Sequence, residues 1–375
     1  MDKIIAFVLI VFICCVCTGS NSSSAAGEIP SLKEIFKDDF VVGAALNRHQ
    51  VNETDPMATA FISRQFNTLT PENDMKAALI HPAWGRYNFA EADKIISYGQ
   101  HHHMQINAHT LIWHSQLPAF VVQIRDKDSL QRFFKDHISV IASRYDGKVY
   151  SWDVVNEALN EDGTMRKSLF LTNLGDNYVV QAFQLAGQAA SHTKLYYNDY
   201  NIEQPRKRAG ALRLIRKIQA AGARIDGVGI QGHWHLGKVP LKEIEESILE
   251  FSALGVDIMF TELDISVLPD PKGVEGADVN QQKVYNSALN PYPGSLPDSV
   301  AQQLARDYED LFRLFLKHKD KISRVTFWGV NDGDSWLNNW PVPGRTNYPL
   351  LFDRQFHPKM AFNKLIALKS GTVAQ

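Results

Sequence analysis

The strongest constraint on this chain is a rhythm. From Ile35 onward, short apolar runs alternate with longer amphipathic ones, eight times over. The runs rich in β-branched and aromatic residues are Val41–Leu46, Phe66–Thr70, Gln105–Leu111, Val149–Val155, Lys194–Tyr197, Gly227–Gln231, Val256–Thr261 and Arg324–Trp328. Between them lie helical patterns such as Asp128–Tyr145, Pro205–Ala221, Leu241–Leu254 and Pro297–Lys317, the first opened by a capping signal at Asp128 and Ser129. Strands that alternate with helices pair in parallel through right-handed crossovers, so the chain is of the α/β class. An open doubly wound sheet collects its polar residues at one switch point. Here polar and aromatic clusters follow nearly every strand, which favours a single closed (β/α)8 TIM barrel with its active site at the C-terminal strand ends.

The first residues read as a separate segment. Lys3 precedes an apolar run from Ile4 to Cys17, and a small polar stretch follows. The run is too short to span a membrane and fits a secretory signal peptide over about residues 1–26. Residues 27–375 then form one catalytic domain, expected to be secreted and monomeric. All three cysteines (Cys14, Cys15 and Cys17) lie in the leader, so a mature form starting beyond them has no disulfide. Lipidation at Cys17, which would anchor the protein to a membrane, is the competing reading. Val16 stands before it, where that motif wants a small residue. A net charge of −2 argues against nucleic acid as a partner, since phosphates demand a basic face. Seven Trp and twelve Tyr suit the flat faces of sugars better.

Two glutamates carry the chemistry. Glu157 ends Trp152-Asp153-Val154-Val155-Asn156-Glu157, and Glu262 ends Ile258-Met259-Phe260-Thr261-Glu262. Each comes where an apolar strand hands over to a loop. Paired carboxyls across a cleft cleave a glycosidic bond without metal or cofactor. A carboxylate salt-bridged at a strand end is the ordinary alternative. It loses ground because Asn156 precedes one Glu, while His233 and Asp264 are available to the other. His109 and His114, five residues apart on a strand-to-loop turn, do not converge on a metal as i and i+4 on a helix would. His101, His102 and His103 are consecutive, and such helical side chains diverge by about 100°. Neither metal nor cofactor is expected. Trp84 and Trp152 are assigned to wall or core, and Trp234 is left open.

Five motifs in order make the chain resemble the glycoside hydrolase family 10 endo-β-1,4-xylanases from Leu32 to the C-terminal helix. They are Asn67 to Lys76, His109 to His114, the run ending Asn156-Glu157, Gln231-Gly232-His233, and Thr261 to Asp264. The resemblance implies a retaining double displacement on xylan and xylo-oligosaccharides, with Glu262 as nucleophile and Glu157 as acid/base. It implies that Asn156 holds the sugar 2-hydroxyl and that Gln231 bonds the acid/base. His233 would bond the nucleophile, with Asp264 behind it. Glu72, Asn73, Lys76, His109 and Trp113 would line the glycone side, and Trp328 and Trp336 the walls. Tyr200 and Asn201 would lie on the leaving-group side. Lys76, Trp328 and Trp336 are expected to crowd a hydroxymethyl group, which favours xylose over the glucose or mannose of same-clan cellulases and mannanases. A non-catalytic carbohydrate binder is disfavoured because both carboxylates are present. The one departure is Ala108, where the family usually has glycine; a single methyl there predicts tighter packing, not lost activity.

Overall fold

The computed structural model describes residues 29–274 and 276–370. The expected signal peptide and Cys17 lie outside the described residues. Nine strands occur among the described residues: β1 (Val41–Leu46), β2 (Thr68–Pro71), β3 (Gln105–Trp113), β4 (Ser151–Asn156), β5 (Lys194–Asp199), β6 (Gly227–Ile230), β7 (His233–His235), β8 (Asp257–Ser266) and β9 (Ile322–Phe327). All pairings between them are parallel, and β1 pairs with both β2 and β9. Because β6 pairs with β8, eight strands close into a barrel and β7 remains a short ninth strand on the rim. The chain is thus a (β/α)8 barrel.

The expected strands shift by only a few residues, and the shifts have causes. β8 runs on to Ser266 because its outer half pairs with β7, extending the ladder past the barrel wall. The helix opening at Lys127 is capped by Asp126, whose carboxylate accepts the Ser129 N–H at 2.7 Å. The capping signal therefore sits two residues before the expected Asp128. Helix Asp298–Lys317 buries Leu304, Ala305, Tyr308, Leu311, Phe312 and Phe315, a three-to-four-residue spacing that makes one apolar stripe. Phe312 and Phe315 pack there against Phe36, Phe40, Phe260 and Phe327, with Phe312 stacked on Phe327 and the other pairs tilted or edge-on. Each such ring removed from water contributes about 1.5–3 kcal/mol. Among the tryptophans left outside the site, Trp152 is fully buried as core and Trp84 is 44% exposed. Trp234 is buried and donates its indole N–H to Glu203 at 3.1 Å.

Candidate active site

β4 delivers Glu157 by breaking its own geometry. The residue lies at φ +56, in the left-handed region, which a side chain enters only when its surroundings hold it. Two backbone bonds do so: the Glu157 N–H donates to the Asn198 carbonyl at 2.9 Å, and Arg166 Nε donates to the Glu157 carbonyl at 3.0 Å. The side chain, 4% exposed, then accepts three bonds. Trp113 Nε1 reaches Oε2 at 2.8 Å; Gln231 Nε2 and Asn156 Nδ2 reach Oε1 at 3.1 and 3.2 Å. Burial is the largest influence on this carboxyl and raises its pKa. The Trp113 and Gln231 donors oppose that, while the charge of Glu262 reinforces it, and the net direction is upward.

Glu262 has the opposite surroundings. Its Oε1 accepts Asn198 Nδ2 at 2.8 Å and its Oε2 accepts His233 Nε2 at 3.2 Å. The register of β7 on β8 places His233 opposite Asp264, and His233 Nδ1 donates to Asp264 Oδ1 at 3.0 Å. Burial lowers the imidazolium, but Asp264 and Glu262 outweigh it, and the His233 pKa rises to about 10. The ring is therefore a cation at neutral pH, donating from both nitrogens. Trp336 Nε1 in turn donates to Asp264 Oδ2 at 2.8 Å. Burial pushes Glu262 up, yet the His233 bond, the neighbouring histidine charges and the Asn198 donor bring it below the ordinary value. Two carboxyls in one cleft are thus driven apart, one to keep its proton and one to lose it. That is how an acid and a nucleophile are distinguished.

Asn198 joins the two halves. Thr261 Oγ1 donates to its side-chain Oδ1 at 2.6 Å, fixing the amide so that Nδ2 faces both Glu262 and Asn156 Oδ1, the latter at 2.9 Å. Gly229 makes room for it, since a Cβ there would stand 2.3 Å from Asn198 Oδ1.

The remaining cleft residues converge from other strand ends. Glu72, Asn73, Lys76, His109, Trp113, Asn156, Glu157, Gln231, His233, Glu262, Trp328 and Trp336 line one cavity, together with Gln116, Ala277 and Val279. Lys76 is buried, donates to Asn73 Oδ1 at 3.1 Å and sits 5.0 Å from the Trp113 ring centre. Burial lowers its pKa, against the pull of Glu262, Glu72 and Glu157. His109 Nδ1 lies 2.9 Å from Asp153 Oδ2, and its ring meets Trp328 edge-on at 5.6 Å. Asp264 stands behind His233, off the cavity wall.

Tyr200 and Asn201, expected on the leaving-group side, do not line this cavity. Tyr200 is 3% exposed and accepts Arg166 Nη2 at 2.5 Å on its hydroxyl, because the chain at Gly276 lies over its ring. Asn201 donates to Glu161 at 3.0 Å and borders an adjoining cavity. Sequence reasoning missed the Trp113 bond to Glu157, the bridge through Asn198, the Asp153 support of His109, and Arg166. Asn198 carried the clearest signal, as it is a polar residue directly after the apolar run Lys194–Tyr197.

Against this geometry, the family model described as Glycosyl hydrolase family 10 matches residues 31–368. The chain belongs to glycosyl hydrolase family 10. Among family 10 relatives, endo-1,4-beta-xylanase A of Xylanibacter ruminicola is 40% identical over 351 residues, covering 92% of this chain and 95% of that protein. The beta-1,4-xylanase of Dictyoglomus thermophilum is 39% identical over 341 residues, covering 90% of this chain and 91% of its own length. A solved GH10 endoxylanase from a sugarcane soil metagenome superposes with a TM-score of 0.86 at 39% identity, covering 90% of this chain and all of that one.

Proposed function

We propose that this family 10 chain is a secreted endo-1,4-β-xylanase that cleaves internal xylosidic bonds with retention of configuration. The observation that carries the reading is the opposite electrostatic setting of two carboxyls lining one cleft. Glu262, ionised, attacks the anomeric carbon; the bond to the leaving sugar breaks, and its oxygen takes the Glu157 proton. Glu157, now a carboxylate, removes a proton from water. The water oxygen attacks the same carbon and displaces Glu262, restoring both groups. In this reading Asn156 holds the 2-hydroxyl beside the nucleophile, a contact that tightens as the ring approaches an oxocarbenium ion. Lys76, Trp328 and Trp336 share the cavity wall, which supports the expectation that they crowd a hydroxymethyl group. The relatives' names point to the same substrate. Export rests on the leader composition alone.

Glu157→Ala tests the acid role. Cleavage of xylan is expected to disappear, while an activated aryl xyloside, whose leaving group needs no proton, still forms the covalent intermediate and releases a burst of aryl alcohol. Undiminished xylan hydrolysis by that variant rules the assignment out.

A further inference from the structure

Two cavities lie side by side at the barrel mouth. One is the catalytic cleft; the other is bordered by Asn201, Trp234, His235, Asp270 and Trp340, among others. His233, Ala277 and Trp336 border both. His233 and Trp336 are locked to Asp264, so the part of the partition that depends on a loop is Ala277. It belongs to the long connection between β8 and β9 and is 4% exposed.

That connection covers the side of the site where Tyr200 sits. Gly276, at φ +62, approaches the Tyr200 ring so closely that a Cβ would stand 2.3 Å from Cε2. Polar contacts tie the segment to other loops. Arg166 Nη1 meets Asp278 Oδ2 at 3.5 Å, Trp340 Nε1 donates to the Asp278 carbonyl at 3.2 Å, and Ser115 Oγ donates to Asn280 Oδ1 at 3.2 Å. The anchors come from the loops after β3, β4 and β9, so residues 276–280 bridge the mouth. Arg166 also holds the Glu157 carbonyl and the Tyr200 hydroxyl, which places the bridge next to the acid/base.

We propose that Gly276–Asn280 is the specificity element of the leaving-group side, selecting between a sugar chain and a compact leaving group. The inference rests on the xylanase reading above. A polysaccharide must extend past Glu157 on the side away from the nucleophile-bound sugar, and there the bridge covers Tyr200 and divides the two cavities. A small leaving group departs from the catalytic cavity without disturbing it. A xylan chain joins the two cavities only by displacing Ala277 and breaking the polar anchors, so part of its binding energy is spent on that displacement.

Asn280→Ala removes the Ser115 anchor and the Asn280 Nδ2 bond to Asp278 Oδ1 at 2.9 Å while leaving Glu157 and Glu262 untouched, and Asp278→Asn weakens the ion pair with Arg166. For each, kcat/KM is measured on soluble xylan and on 4-nitrophenyl β-xylobioside, with thermal melting to confirm folding. In Asn280→Ala the xylan value is expected to rise about threefold or more while the aryl value stays the same. Asp278→Asn is expected to move the ratio in the same direction. An unchanged ratio in both folded variants, or xylan and aryl values falling together, overturns the proposal. Because the aryl substrate reports the carboxylate pair alone, intact aryl activity with an unchanged ratio condemns only the specificity element. A wild-type enzyme inactive on both substrates removes the underlying function as well.

Discussion

At the scale of single residues, function here is a matter of which proton stays. Glu157 and Glu262 are the same side chain, yet burial dominates one while a histidinium and an amide dominate the other. The consequence is a bell-shaped pH profile. On the proposed roles, activity is expected to fall at low pH as Glu262, lowered from its ordinary value, protonates, and at high pH as Glu157, raised from its own, loses its proton. Removing the His233 charge should be visible on the first limb. In His233→Asn, Glu262 loses a cationic donor and stays buried, so its pKa rises and the acidic limb of kcat/KM moves to higher pH. The maximum should drop about a hundredfold, as for loss of a preorganised donor. A pH-rate profile checks both; an acidic limb that stays in place contradicts the role of His233. The stability sign is separate. With a folded value near 10 against 6.5 unfolded, His233 stabilises the fold fully below pH 6.5, and that contribution fades as pH climbs towards 10.

At the scale of elements, the strands bring the two carboxyls to one cavity and Gly229 makes room for the Asn198 amide between them. The apolar runs and the carboxylates that end them were legible in sequence, since burial on both faces leaves a continuous hydrophobic signature. So was the His233–Asp264 pair, through motif resemblance. What was not legible depends on contacts far apart in sequence. Asn198 reaches Glu262 only because β5, β6 and β8 are adjacent, and Arg166 meets Asp278 only because a long loop folds back over the mouth. The cover over Tyr200 was hidden for the same reason: nothing local to residues 197–201 announces that Gly276 will lie over the ring. Gly229 offers the sharpest test of the strand layer. In Gly229→Ala the new methyl must displace the Asn198 amide, costing about 1–3 kcal/mol. Chemical denaturation should register that loss, and kcat should fall because Asn198 no longer bonds Glu262. A variant of wild-type stability and rate would show that the close approach to Asn198 is relaxed without consequence.

At the scale of the whole molecule, closure of the barrel is what turns two distant glutamates into one site. Residues 157 and 262 sit on strands separated by β5 and β6, and the cylinder brings their ends to a common rim. An open sheet with the same strands would leave the carboxyls on a flat edge, without the buried histidine, tryptophans and amides that set their proton affinities apart. The stereochemistry of the reaction reports directly on whether the pair works as proposed. Proton NMR of xylan during the first minutes of hydrolysis distinguishes the anomers before they equilibrate. Attack by Glu262 followed by water on the opposite face predicts that the β-anomer appears first and the α-anomer only by later mutarotation. Initial release of the α-anomer would contradict a covalent intermediate on Glu262.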